Sequence, residues 1–201
     1  MANQYNILFV CTDNAARSIM AEAILSRVGM GRFAAYSAGS HPAARVHPET
    51  EWQIEAAQMS GGAYRTKSWE TFAWPGAPRM DYVISLCKVA TGRPQPQFPG
   101  SPIVLHWPTP NPLAVEGARE DVRQAFSEVF ALLSERIRMV VALSAVMQGK
   151  EGLRKELERM AQSAQKRAAD EIMVGDAAEQ PVDSGAEAVI EVGLTRDLIP
   201  A

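Results

Sequence analysis

Cys11, Arg17 and Ser18 are the residues of this 201-residue chain whose types and spacing combine into a reactive site. A cysteine followed after five residues by an arginine and a serine can wrap one tetrahedral oxyanion, the guanidinium returning as a bidentate clamp on two oxygens. Thr12, Asp13, Asn14, Ala15, Ala16, Arg17 and Ser18 then bind through converging backbone N–H groups, provided the segment leaves a strand and enters a helix. The positive field of the helix start favours thiolate over thiol, so Cys11 is expected to ionise below the ordinary thiol value near ~8.5. Ser18 can donate its hydroxyl to that sulfur. Asn14 tolerates left-handed backbone and can pin the turn with its side chain. A carboxylate facing the anion would repel it, so Asp13 is expected to point outward. Ala15 and Ala16 contribute only their amides.

The flanking elements meet this condition. Ile7 to Cys11 is a short, wholly apolar run, the pattern of a strand covered on both faces. Ile19, Met20, Ala23, Ile24 and Val28 follow a helical period that Gly29 and Gly31 end. Phe33 to Ser37 reads as a second strand closed by the turn Ala38-Gly39-Ser40, and Pro48 to Met59 as a helix stopped by Gly61-Gly62. Tyr82 to Cys87 and Ile103 to His106 are further strands, separated by an irregular loop over Arg93 to Pro102. Val115 to Val141 carries an amphipathic helical pattern, and Leu153, Leu157 and Met160 a shorter one. This alternation predicts an α/β three-layer sandwich on a mostly parallel four-stranded sheet. Residues 1–162 form the domain, and 163–201, rich in Ala, Gln, Glu, Asp and Gly, a C-terminal extension.

Composition narrows the partners. Hydrophobic content of 47% and charged content of 21% are those of a soluble globular chain. A net charge of −3 gives no reason to expect nucleic acid or an anionic membrane. The N-terminal segment lacks the basic and long apolar regions of a signal peptide, so a cytoplasmic location is expected. Two cysteines are too few for a disulfide scaffold. His41, His47 and His106 show no metal-ligand spacing, so no metal is expected. His41, Arg45 and Lys67 read as surface residues near the anion loop.

The segment Phe9-Val-Cys-Thr-Asp-Asn-Ala-Ala-Arg-Ser-Ile-Met-Ala-Glu-Ala-Ile24 resembles the signature of arsenate reductases built on the low-molecular-weight tyrosine phosphatase fold. The resemblance continues through Tyr36 to Pro42, Val46-His-Pro48, Lys67-Ser-Trp69 and Gly76-Ala-Pro78. It resumes in Met80 to Cys87, Phe98-Pro-Gly100, His106-Trp107 and Asn111 to Gly117, and so spans roughly residues 5 to 160. It implies that Cys11 attacks arsenate and that Cys87 attacks the resulting adduct to release arsenite. It further implies no bound cofactor, and an external thiol reductant: thioredoxin, glutathione with glutaredoxin, or mycothiol. A buried cysteine ending a strand is the alternative reading of Cys87.

Two departures from the family pattern bear on function. Many members carry a third cysteine about eight residues past the second, where this chain has Gln95. Either a Cys11–Cys87 disulfide forms and is reduced externally, or a small thiol or glutaredoxin-like partner supplies the missing sulfur. The family's Asp-Pro, whose aspartate protonates the leaving oxygen, is here Asn111-Pro112. An amide cannot donate that proton, and general acid catalysis contributes ~10²–10⁴-fold. Three functions are therefore expected in competition: a thiol-dependent arsenate reductase, a weak phosphatase acting on aryl esters, and a non-catalytic oxyanion or phosphoprotein sensor that uses the C-terminal extension.

Overall fold

The computed structural model describes residues 4–29, 31–87, 94–146, 151–163 and 166. Nearly all of the sequence-defined extension therefore lies outside the described residues.

Four strands form one sheet: β1 (Tyr5–Cys11), β2 (Phe33–Gly39), β3 (Tyr82–Ser85) and β4 (Ile103–His106). Their order is β2-β1-β3-β4, and every pairing is parallel. The helices are α1 (Arg17–Val28), α2 (Pro48–Ala56), α3 (Arg119–Val146) and α4 (151–163), with short 3-10 turns at Trp69–Phe72 and Pro112–Ala114. β1 is buried on both faces, and alternate residues sort into two cores. Ile7 and Phe9 join Ile84, Leu105 and the apolar stripes of α1, α3 and α4. Leu8 and Val10 join Val83 on the opposite face, where Trp69, Phe72, Met80 and Phe98 cover them. Three layers result, and the second cover is built from the 3-10 turn and loops.

Strand order sets the place of the site. From β1 the chain crosses to β2 on one side and then returns past β1 to β3 on the other. Strand order thus reverses at the carboxyl end of β1, where open parallel sheets leave a crevice. Cys11 is the last residue of that strand.

Boundaries shift where a local pattern meets a tertiary contact. β2 runs on to Gly39 because Gly39 pairs with Cys11 and bridges to Ser68. β3 stops at Ser85. α2 ends at Ala56, and the chain then turns at Gln58, whose φ is 56°. α3 starts at Arg119 rather than Val115, since Gly117 is left-handed (φ 126°) and the Asp121 carboxylate accepts from the Ala118 N–H. Among the described residues no helix is long and apolar enough to cross a membrane.

Gly39 lies hard against the Cys11–Ser18 loop. A Cβ there would sit 2.6 Å from the Thr12 carbonyl oxygen and 3.0 Å from the Asn14 nitrogen, both backbone atoms that cannot swing aside. Gly39→Ala is expected to cost about 1–3 kcal/mol, as over-packing does elsewhere, and to weaken phosphate binding. Urea midpoints and a phosphate titration of the two proteins check this.

Candidate functional site

Residues 11–18 run from the end of β1 into the first turn of α1, with Ala16 as its N-cap and Arg17 as its first residue. The loop's outward side is held by the segment that follows β2. The carbonyls of Cys11, Thr12, Asp13 and Ala15 accept from the N–H groups of Ser40, His41, Ala43 and His47 at 2.8–3.2 Å. Ala15 accepts also from the Thr50 hydroxyl at 2.9 Å. In a trans peptide the C=O and N–H point oppositely, so each carbonyl held outward turns its partner N–H toward the loop's interior. Asn14 shows the result: its N–H lies 3.3 Å from Cys11 Sγ. Residues 40–50 thus hold the loop's carbonyls on the side away from Cys11 Sγ.

Asn14 organises the centre. It is fully buried, with φ at 45°, in the left-handed region. The Lys67 backbone N–H donates to its Oδ1 at 2.7 Å, which assigns the amide's orientation. Its Nδ2 then donates to Ser18 Oγ at 2.8 Å and to Ser37 Oγ at 3.0 Å. With its oxygen already accepting, the Ser18 hydroxyl is turned to donate toward Cys11 Sγ, 2.9 Å away. Ser37 in turn donates to Glu22, and the Lys67 ammonium meets that carboxylate at 3.2 Å. Lys67, which reads as a surface residue in the sequence, is thus part of the scaffold. Glu22 and Ser37 carry no sequence signal of their own, because only folding brings α1, β2 and the 65–68 segment together.

The ionisation of Cys11 departs from the sequence expectation. Burial pushes the thiol above its ordinary value; the Ser18 hydroxyl, the Arg17 guanidinium and the backbone N–H groups of Ser18 and Asn14 pull it back only in part. The cause is depth: Cys11 is 2% exposed, and desolvating a thiolate outweighs the donors aimed at it.

The remaining residues divide between the loop and its rim. Arg17 is 5% exposed; its Nη1 donates to the Thr109 carbonyl at 3.4 Å, while its buried Nε has no partner among the described residues. Such an unpaired donor on a buried cation is the kind of group an oxyanion satisfies. Arg136 from α3 holds the same 108–109 segment by donating to the Pro108 carbonyl at 2.9 Å. Cys87 lies just past β3, half-buried, with its Sγ 3.6 Å from the Thr12 hydroxyl. Both cysteines are free thiols. Asp13 is half-buried on the loop's outer flank. Asn111 is exposed and caps the 3-10 turn Pro112–Ala114 through its carbonyl, which accepts from the Ala114 N–H. Thr109 and Arg136 were not singled out from sequence. Their link to Arg17 depends on β4 and α3 converging near α1.

Two outcomes follow from these contacts. Asn14→Ala removes three buried side-chain bonds and leaves Ser18 free to rotate, so it is expected to cost about 2–4 kcal/mol in urea unfolding. For a thiol raised in the folded state, the folded form holds its proton more tightly than the unfolded form. Stability is therefore retained below the ordinary thiol value and falls as pH rises above it. In Cys87→Ser, where Cys11 is the single thiol, the ultraviolet thiolate absorbance is expected to appear above pH ~8.5 in anion-free buffer.

Known proteins share this fold. The profile of the low molecular weight phosphotyrosine protein phosphatase family matches residues 6–159. A glutaredoxin arsenate reductase from Synechocystis sp. is 29% identical over 136 residues, 68% of this chain and 95% of that protein. An arsenate reductase solved in its phosphate-binding state is 27% identical, with a TM-score of 0.52 over 69% of this chain and 98% of that one. The arsenate reductase of Archaeoglobus fulgidus shares the fold at 24% identity, with a TM-score of 0.53 over 68% of this chain and 98% of that one. With the family profile covering the sheet, the Cys11–Ser18 loop and the packing helices alike, this chain belongs to the low molecular weight phosphotyrosine protein phosphatase family.

Proposed function

We propose that the protein is a thiol-dependent arsenate reductase acting through Cys11. The observation that carries this reading is the second free thiol beside the loop, Cys87 Sγ at 3.6 Å from the Thr12 hydroxyl. Phosphate-ester hydrolysis needs one sulfur; reducing As(V) to As(III) needs two electrons, which two thiols supply as they join in a disulfide.

In this reading the amides of residues 12–18 hold arsenate, and Arg17 clamps two of its oxygens with the guanidinium that otherwise meets Thr109. Cys11 Sγ, as thiolate, forms a bond to arsenic, an As–O bond breaks, and the leaving oxygen departs as water with protons drawn from solvent, since the Asn111 amide has none to give. Cys87, as thiolate, then attacks Cys11 Sγ. The S–S bond forms, the S–As bond breaks, and its electron pair leaves with arsenic as arsenite. Because Gln95 stands where many members carry a third cysteine, an external thiol reduces the Cys11–Cys87 disulfide. The Synechocystis relative, by its name, works with glutaredoxin. This cycle belongs in a reducing compartment, the cytosol, where both thiols are restored.

Asn111 weighs differently on a phosphatase reading. An alkyl phosphate has a poor leaving group and needs an acid, whereas an aryl phosphate does not. Cys11→Ser is expected to abolish arsenite release, and Asn111→Asp to raise it at least tenfold, within the ~10²–10⁴ range of general acids. Arsenite production with dithiothreitol, alongside aryl and alkyl phosphate hydrolysis, checks both. Arsenite release that survives Cys11→Ser overturns the reading, and efficient alkyl-ester cleavage by the unaltered protein reassigns it as a phosphatase.

A further inference from the structure

The chain leaves β4 through Trp107-Pro-Thr-Pro-Asn111, a turn whose prolines leave it few donors of its own. Pro108 and Pro110 have no N–H, and each confines the residue before it to extended backbone. Thr109, between them, is buried and fully committed. Its N–H donates to the Leu86 carbonyl at 3.1 Å and its hydroxyl to the Trp107 carbonyl at 2.9 Å. Its own carbonyl accepts from Arg17 Nη1 at 3.4 Å. The remaining hold on the turn comes from α3. Arg136 Nη1 donates to the Pro108 carbonyl at 2.9 Å and to the Thr109 hydroxyl oxygen at 3.3 Å. Leu133 and Ile137, buried on either side of Arg136 in the sequence, fix that stretch of α3 against the core.

We propose that Arg136 is a positioning residue for oxyanion binding, acting on Arg17 through the Thr109 carbonyl. The inference rests on the reading of residues 11–18 as an oxyanion loop. A guanidinium is planar, and the N–H groups of Nε and Nη2 run parallel along one edge, away from Nη1. With Nη1 turned to Thr109, the Nε–Nη2 edge is left to meet a ligand, and the buried Nε has no partner among the described residues. At 3.4 Å the Thr109 bond is longer than a typical N–H···O bond, so it sets the rotation of the guanidinium and leaves its charge for the anion. That rotation depends on where the carbonyl stands, and a carbonyl between two prolines moves with the whole turn. Arg136 fixes the turn from outside the loop. Without it the fork must be ordered when the anion arrives, and the cost of ordering is subtracted from affinity.

Inorganic phosphate titrated into the full chain, followed by backbone amide and arginine Nε NMR signals, tests this. Arg136→Met keeps an apolar stem and removes the donor. It is expected to weaken phosphate binding about fivefold or more, while the amide signals of residues 12–16 without phosphate stay in place. In Arg17→Lys, which has no fork to aim, the same substitution should change the affinity by no more than about twofold. An equal loss in both backgrounds, or no loss in either, overturns the proposal and leaves the oxyanion loop intact. If Arg17→Lys binds too weakly to titrate, the Arg17 Nε signal decides: displaced by Arg136→Met without phosphate, it supports the proposal, and unmoved it overturns it. Should Arg136→Met show no cooperative urea transition, Thr109→Val takes its place. That variant removes the hydroxyl Arg136 meets and keeps the carbonyl, and a loss confined to chains with Arg17 is again expected. Absence of phosphate binding by the unaltered protein overturns the oxyanion reading and, with it, this role of Arg136.

Discussion

The site depends on one buried amide. Asn14 sits in left-handed backbone with its oxygen bound to the Lys67 N–H and its nitrogen shared between Ser18 and Ser37. Reversing that amide would set its nitrogen against the Lys67 N–H and its oxygen against two hydroxyls, turning the Ser18 proton away from the sulfur. A buried polar network of this kind holds a single arrangement, because every alternative leaves an unpaired group in low dielectric. The Glu22–Lys67 pair at the far end extends this to α1 and to the segment after α2, so several elements vote on where one proton points.

Depth and reactivity pull against each other at Cys11. A loop that wraps an oxyanion closely must exclude water, and the same exclusion penalises the thiolate. The Ser18 hydroxyl, the Arg17 guanidinium and the backbone N–H groups of Ser18 and Asn14 all favour the thiolate, yet burial prevails.

A second constraint concerns sulfur supply. Cys87 reaches the loop through Thr12, but the chain carries no third cysteine to pass the oxidation on to the surface. On the proposed reading, the thiol that restores this pair comes from outside the chain.

What the sequence by itself determined is what local pattern can encode. A buried apolar run followed by Cys-x5-Arg-Ser and a helical period predicts strand, loop and helix, since each signal lies within a few residues of the structure it specifies. The strands at 82 and 103 and the long amphipathic helix were legible for the same reason, with ends displaced wherever a distant contact intervened, as at Gly39 and Gly117. Only the tertiary structure decided which groups surround the sulfur. The role of Lys67 and Glu22, the contact of Thr12 with Cys87, the hold of Thr109 on Arg17 and the upward shift of the thiol all arise from segments tens of residues apart. Desolvation and hydrogen-bond direction are properties of an enclosed volume, and the strand order β2-β1-β3-β4 creates that volume.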